Sequence, residues 1–150
     1  DNSLSVIEDA KAYCDENSIN YIEANVTNAS ELQQVAQSLV GKVDAFFSPI
    51  DNTVAQAMPV FSKVALEAKL PIYPSADSMV MDGGLATVGI NYEELGKATA
   101  QMAVDILEGK TISELPVVVM DNFRAFINKE TASALNIDIS SLTDAEIYEG

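Results

Sequence analysis

Val43-Asp44-Ala45-Phe46-Phe47-Ser48-Pro49-Ile50-Asp51-Asn52-Thr53-Val54 decides the fold class. Its first half, residues 43–48, is a short apolar run that reads as a strand. A turn follows at Pro49 to Asn52. Beyond it Val54, Met58, Phe61, Ala65 and Ala68 recur at helical spacing. Strand, turn and helix thus succeed one another within a few residues. Pro59 falls inside the helical pattern, where a proline removes a backbone donor and clashes with the preceding turn, so a kink or a late helix start is expected there.

The same alternation extends in both directions. Upstream, residues 4–17 read as a helix with Ser3 or Asn2 as its cap, and residues 19–25 as a strand. Asn28-Ala29-Ser30-Glu31 has capping-box spacing and opens a helix carrying Leu32, Val35, Ala36, Leu39 and Val40 on one face, which Gly41 ends. Downstream, residues 70–74 read as a strand, Ser75-Ala76-Asp77-Ser78 as a polar loop and Asp82-Gly83-Gly84 as a turn. Residues 85–90 form a further strand. Asn91-Tyr92-Glu93-Glu94 repeats the Asn-x-x-Glu start signal before a helix with Leu95, Ala98, Met102 and Ile106 in register, stopped by Gly109. Residues 117–120 and 125–128 read as strands, 129–135 as a short helix, and 140–150 as an acidic, frayed tail. Strands alternating with helices imply an α/β protein with a mainly parallel sheet flanked by helices.

Composition narrows the function. The chain has 150 residues, enough for one domain with a real core, and its 48% hydrophobic content is globular. With 8 basic and 23 acidic residues it carries a net charge of −15. A chain that neutralises nucleic-acid phosphates needs clustered Lys and Arg, and an anionic lipid surface repels this one, so neither is an expected partner. The acidity reads first as solubility. There is no histidine and a single cysteine, Cys14, on the stripe Ile7, Ala10, Cys14. That thiol reads as structural, since a nucleophile would lack its base. No zinc, EF-hand, phosphate-loop, dinucleotide or GxSxG motif occurs, so no metal or cofactor is expected. Apolar runs such as Pro116 to Met120 are too short to span a bilayer, and no leader pattern opens the chain.

In a parallel sheet ligands sit beyond the carboxyl ends of the strands. That rule selects the loops after Asn25, Ser48 and Pro74. It adds the polar start Asn2-Ser3 if a strand precedes it, and a chain that starts on a helix hints at a missing upstream part. Asp51-Asn52-Thr53 offers three polar side chains at a helix start, where one suffices for capping; the helix-start amides favour a negative ligand group and Asp51 suits an amine or hydroxyl, or one of the three serves only as the N-cap. Ser75 and Asp77 face the same crevice or serve only the turn. Glu8, Asp9, Asp15 and Glu16 read as surface charge.

Val26-Thr27-Asn28, Gln37-Ser38-Leu39-Val40-Gly41-Lys42-Val43-Asp44-Ala45, Asp51-Asn52-Thr53-Val54, Ala86-Thr87-Val88-Gly89-Ile90-Asn91-Tyr92, Leu95-Gly96-Lys97, Met102 to Lys110, Pro116-Val117 and Ile127-Asn128-Lys129 stand in order. Together they resemble the solute-binding proteins of ABC transporters, in the family of tryptophan- and tyrosine-type binders. The likeness spans residues 3–138; Pro59 and the tail after Asp138 depart from it. The resemblance implies a Rossmann-like lobe of a type I periplasmic binding protein, incomplete at its N-terminus. Residues 1–80 and 117–138 would belong to the second of two lobes, and residues 85–109 would pack on the first. It implies a non-enzymatic, extracytoplasmic protein, soluble or lipid-anchored, that captures a small molecule such as an aromatic amino acid between the lobes and delivers it to a permease. Asp51, Asn52, Thr53, Ser75, Asp77, Asn2 and Ser3 would line this half of the cleft, with Asp51 suited to the ligand ammonium and Thr53 with the helix-start amides to its carboxylate. The 93–108 helix, without its usual neighbour, would repack or form a homodimer or swapped contact. The competing readings are a ligand-sensing domain of a receptor or regulator, and a small α/β enzyme using carboxylates.

Overall fold

The computed structural model describes residues 3–90 and 92–150. Helices α1 (Leu4–Glu16) and α2 (Ala29–Leu39) lead to strand β1 (Phe46–Ser48), then to α3 (Asn52–Gln56) and α4 (Met58–Glu67). Strand β2 (Ile72–Pro74), α5 (Asp77–Met81), β3 (Ala86–Ile90) and the long α6 (Tyr92–Leu107) follow. One 3₁₀ turn, Ile112–Glu114, precedes β4 (Phe123–Asn128), α7 (Lys129–Leu135) and β5 (Glu146–Tyr148).

β1 and β2 pair in parallel with Phe46 opposite Ile72 and Ser48 opposite Pro74. A second sheet has the order β3-β4-β5, with β3 antiparallel and β5 parallel to β4. Two of the three ladders are therefore parallel, as the alternating pattern predicts. Leu85 stitches the sheets together: its N–H donates to Ile72 O at 2.7 Å and its carbonyl accepts from Asn128 N at 2.9 Å.

The main core lies under β1 and β2. Phe46 and Ile72 point inward while Phe47 and Tyr73, one residue on, are exposed, the period of two that a strand imposes. Against the inward pair pack Leu32 and Ala36 of α2, Met58, Phe61, Val64 and Ala65 of α4, and Met79 of α5. Phe46 and Phe61 meet edge-on with ring centroids 5.1 Å apart. Each fully buried side chain of this size stabilises the fold by about 1.5–3 kcal/mol. Pro59 acts as a late start: α3 ends at Gln56 and α4 begins at Met58, so the proline occupies the first turn, where its missing N–H costs nothing.

Asn28 accepts from Glu31 N and caps α2, while the Glu31 carboxylate reaches back to the N–H and hydroxyl of Thr27 at 3.0 and 2.9 Å. Those bonds, the backbone one foremost, hold the Glu31 carboxyl below its usual 4.5. Buried Asn128 has a wider role. Its Nδ2 donates to Val80 O at 2.9 Å and its Oδ1 accepts from Thr131 N at 3.0 Å, so one amide caps α7 and satisfies the end of α5. Between α5 and β3, Gly83 takes a φ of +107°, and a Cβ there would meet Ser62 Cβ at 2.5 Å; the turn requires glycine.

The structure corrects three expectations. Residues 19–25 and 117–120 have strand composition but form no strand, because no backbone among the described residues pairs with them; Val117 and Val119 stand 90% and 82% exposed. Residues 75–78 are not all loop, since Asp77 opens α5. The tail is not frayed throughout. Glu146–Tyr148 adds β5, held by Tyr148 against Phe126 (centroids 6.2 Å apart) and by Lys129 with Glu149 at 2.6 Å. In helix α6 none of the described residues is fully buried, although Leu95, Ala98 and Met102 are half-buried. Asn2 and the Asn91 start signal lie outside the described residues.

Asn128→Ala is expected to cost about 2 kcal/mol or more, since it removes the α7 cap and leaves a buried carbonyl unpaired; urea unfolding measures it. Because folding lowers the Glu31 pKa, its contribution is complete above pH 4.5 and is lost as pH falls through the lower folded-state value. In Glu31→Gln, the loss of α2 helicity on acidification, followed by circular dichroism, should be smaller.

Candidate functional site

The carboxyl ends of β1 and β2 lie side by side, and the loops that leave them build the site. After β1 the chain turns at Pro49 and Ile50, and Asp51 caps α3. Its Oδ1 accepts from Thr53 N at 2.8 Å and Val54 N at 3.1 Å. The helix-start amides are thus spent on Asp51 itself. They are not presented to a ligand carboxylate, which corrects the role expected for them and for Thr53. Oδ2 of Asp51 accepts from none of the described residues. Ser3 stands at the N-cap position of α1 without capping it; its hydroxyl instead donates to Ile50 O at 2.8 Å and braces the loop from behind.

After β2, the N–H and the hydroxyl of Ser75 both donate to Ser48 O, at 3.0 and 3.2 Å. Ser75 therefore ties the two loops together and is not among the residues facing the cavity. Asp77, two residues on, does face it. Its Oδ2 lies 3.2 Å from Arg124 Nη2, and the pair is mostly shielded, with side chains 13% and 28% exposed.

Between these loops opens a cavity of about 740 Å³. Asp51, Asn52 and Asp77 contribute polar groups, Ile50, Met79 and Met81 apolar ones, and Tyr92, Glu93, Arg124 and Glu146 close the side toward α6 and the second sheet. The size suits a small organic molecule. The lining carries four carboxylates and one guanidinium, so the field favours a cationic group. Lys97 pairs with Glu93 at 2.9 Å and holds the Glu93 carboxyl below its usual value, with Arg124 adding a smaller effect. Arg124 also pairs with Glu146 and lies over the Phe126 ring, 5.6 Å from its centroid.

Of the expected site residues, Asp51, Asn52 and Asp77 come together around the cavity; Ser3, Thr53 and Ser75 stand behind it. Sequence reasoning missed Arg124, Glu146, Tyr92 and Glu93. For Arg124 there is a signal: it is the only arginine in a strongly acidic chain, and it stands within an aromatic strand. No group of three or more acidic or cysteine side chains among the described residues has the arrangement of a metal site.

The family model for ABC transporter substrate binding protein matches residues 1–145. This chain belongs to that family. The tyrosine-binding protein of Clostridioides difficile is 38% identical to it over 136 residues, which are 91% of this chain and 39% of that protein. Two solved structures agree. One is the ligand-free, open form of a substrate-binding protein with adhesive properties from Clostridium difficile, 36% identical, with a TM-score of 0.81 over 99% of this chain and 50% of that one. The other is a domain from Streptococcus pneumoniae in complex with L-Trp, 36% identical, with a TM-score of 0.82 over 98% of this chain and 51% of that one. The family fold is thus a mixed α/β lobe, and the chain spans about half the length of these solved proteins or less. Among the described residues, no helix is long and apolar enough to cross a membrane.

Asp51→Asn keeps an acceptor for Thr53 N and Val54 N, so stability should change little, whereas Asp51→Ala is expected to cost about 1 kcal/mol. Thermal or urea unfolding of the two variants separates the capping role from any role of the charge.

Proposed function

We propose that the cavity is one wall of an interlobe cleft that captures an aromatic amino acid, and that the whole protein is the extracytoplasmic binding component of an ABC importer that hands this solute to a permease. The observation that carries the reading is the lining itself. Carboxylates at Asp51 and Asp77 stand beside Ile50, Met79, Met81 and Tyr92, and this pairing of anionic and apolar surface matches an ammonium group attached to an apolar body. The relatives support the ligand class, since one is named for tyrosine and another holds L-Trp.

In this reading Asp51 and Asp77 receive the ammonium, Asn52 donates or accepts at the cleft edge, and the opposite lobe covers the ring. Helix α6 packs on that lobe, which accounts for its lack of a fully buried residue among those described, whereas residues 85–90, expected to join it there, pair with β4 in this lobe. Capture needs no covalent chemistry.

Calorimetry on the full-length protein tests the reading. L-Tyrosine or L-tryptophan should bind with micromolar or tighter affinity. Asp77→Asn should weaken binding at least about tenfold, because a charge-assisted bond to the ammonium becomes a neutral one. No binding of any aromatic amino acid would reject the ligand class. Turnover of a bound solute, abolished in Asp51→Asn or Asp77→Asn, would instead identify an enzyme.

A further inference from the structure

We propose that Arg124 is a positioning residue that sets the charge selectivity of the cleft, allowing it to take a zwitterion where the bare carboxylates would prefer a simple amine. The inference rests on the amino-acid-binding reading above and adds to it the residue that decides between ligand charge types.

The contacts of the guanidinium limit what it can still do. Nη2 is engaged with Asp77 and Nη1 with Glu146, and the plane is held over Phe126. Each terminal nitrogen thus holds a different carboxylate with one of its two N–H groups, and among the described residues Nε–H has no partner and is closed to solvent. A ligand carboxylate would have to compete with Asp77 and Glu146 for the terminal nitrogens, which disfavours a direct anion-clamp role. What remains is the effect on the two carboxylates. Asp77 begins α5 and Glu146 begins β5; Arg124, on the strand between β3 and β5, bridges them and fixes the direction in which Asp77 faces the cavity.

The second effect is on the field. The charged side chains around the cavity are Asp51, Asp77, Glu93, Glu146 and Arg124, a net charge of −3; Lys97 neutralises Glu93 from outside the lining. Removing Arg124 leaves only carboxylates in the lining. Such a field attracts an ammonium and repels a carboxylate on the same small molecule, so an amine gains relative to its amino acid. Removing the Glu146 charge should act in the opposite sense, since Arg124 is then shared by fewer anions.

The test compares full-length wild type, Arg124→Gln, Arg124→Lys and Glu146→Gln by calorimetry with L-tyrosine, tyramine, L-tryptophan and tryptamine. The readout is the ratio of amine to amino-acid affinity, which a loss of stability alone does not move. In Arg124→Gln the ratio is expected to shift about tenfold toward the amine, as loss of one nearby charge implies. In Glu146→Gln it shifts toward the amino acid, and Arg124→Lys restores most of the wild-type ratio. Wild-type protein that binds the amino acids, with an unchanged ratio in both Arg124→Gln and Glu146→Gln, overturns this inference and leaves the amino-acid reading standing. Wild-type protein that binds neither amino acid overturns both. If Arg124→Gln fails to fold, the direction of the Glu146→Gln shift decides.

Discussion

The carbonyl oxygen of Ser48 accepts two hydrogen bonds from one residue, Ser75, through its N–H and its hydroxyl. Ser48 is buried and ends β1. A parallel pair of strands cannot be closed by a hairpin; it needs a crossover, here α3 and α4, before β2 can lie beside β1. The last rung of that ladder therefore joins two loops that are far apart in sequence, and the Ser75 hydroxyl doubles it. Asp51 and Asp77 face one cavity because each stands a few residues beyond this clamp. The core beneath serves the same end, since Phe46 and Ile72 hold the strands in register against α2 and α4.

The helix start that looks like an anion site is occupied from within. Asp51 takes the amides of Thr53 and Val54 with one oxygen. A helix start usually lends partial positive charge to its surroundings, but here an aspartate neutralises it. The positive charge at the cavity comes instead from Arg124, on the other sheet, and it too is engaged by carboxylates. The family membership accounts for a fold of this kind, and the lining gives it a chemical character.

Much of this was legible in the sequence. The short helix Lys129–Leu135 and the start of α2 carry local signals: Asn caps, a Glu reaching back toward the cap, and apolar residues at helical spacing. Pro59 announced the break between α3 and α4. The failures share a cause. A strand is a relation between two segments, and composition reports only one of them. Residues 19–25 and 117–120 look like strands and find no rung partner, whereas Glu146–Tyr148, in an acidic tail, becomes one because β4 offers an open edge. α5 has five residues, too few for periodicity to show. In the candidate site, Asp51 and Asp77 were found because strand ends point to them. Arg124 and Glu146 reach the cavity from strands assigned to no binding loop, so position along the chain did not single them out.

Helix α6 spans sixteen residues, and none of those described is fully buried. An isolated helix of that length is marginal in water, even with Lys97 bridging Glu93 and Glu94. Its backbone amides are consequently guarded by far less packing than those of β1 and β2, which lie over the core. In hydrogen exchange the chain would separate into a slow body and a fast arm, and the arm's protection would count how much of its surface a neighbour had covered.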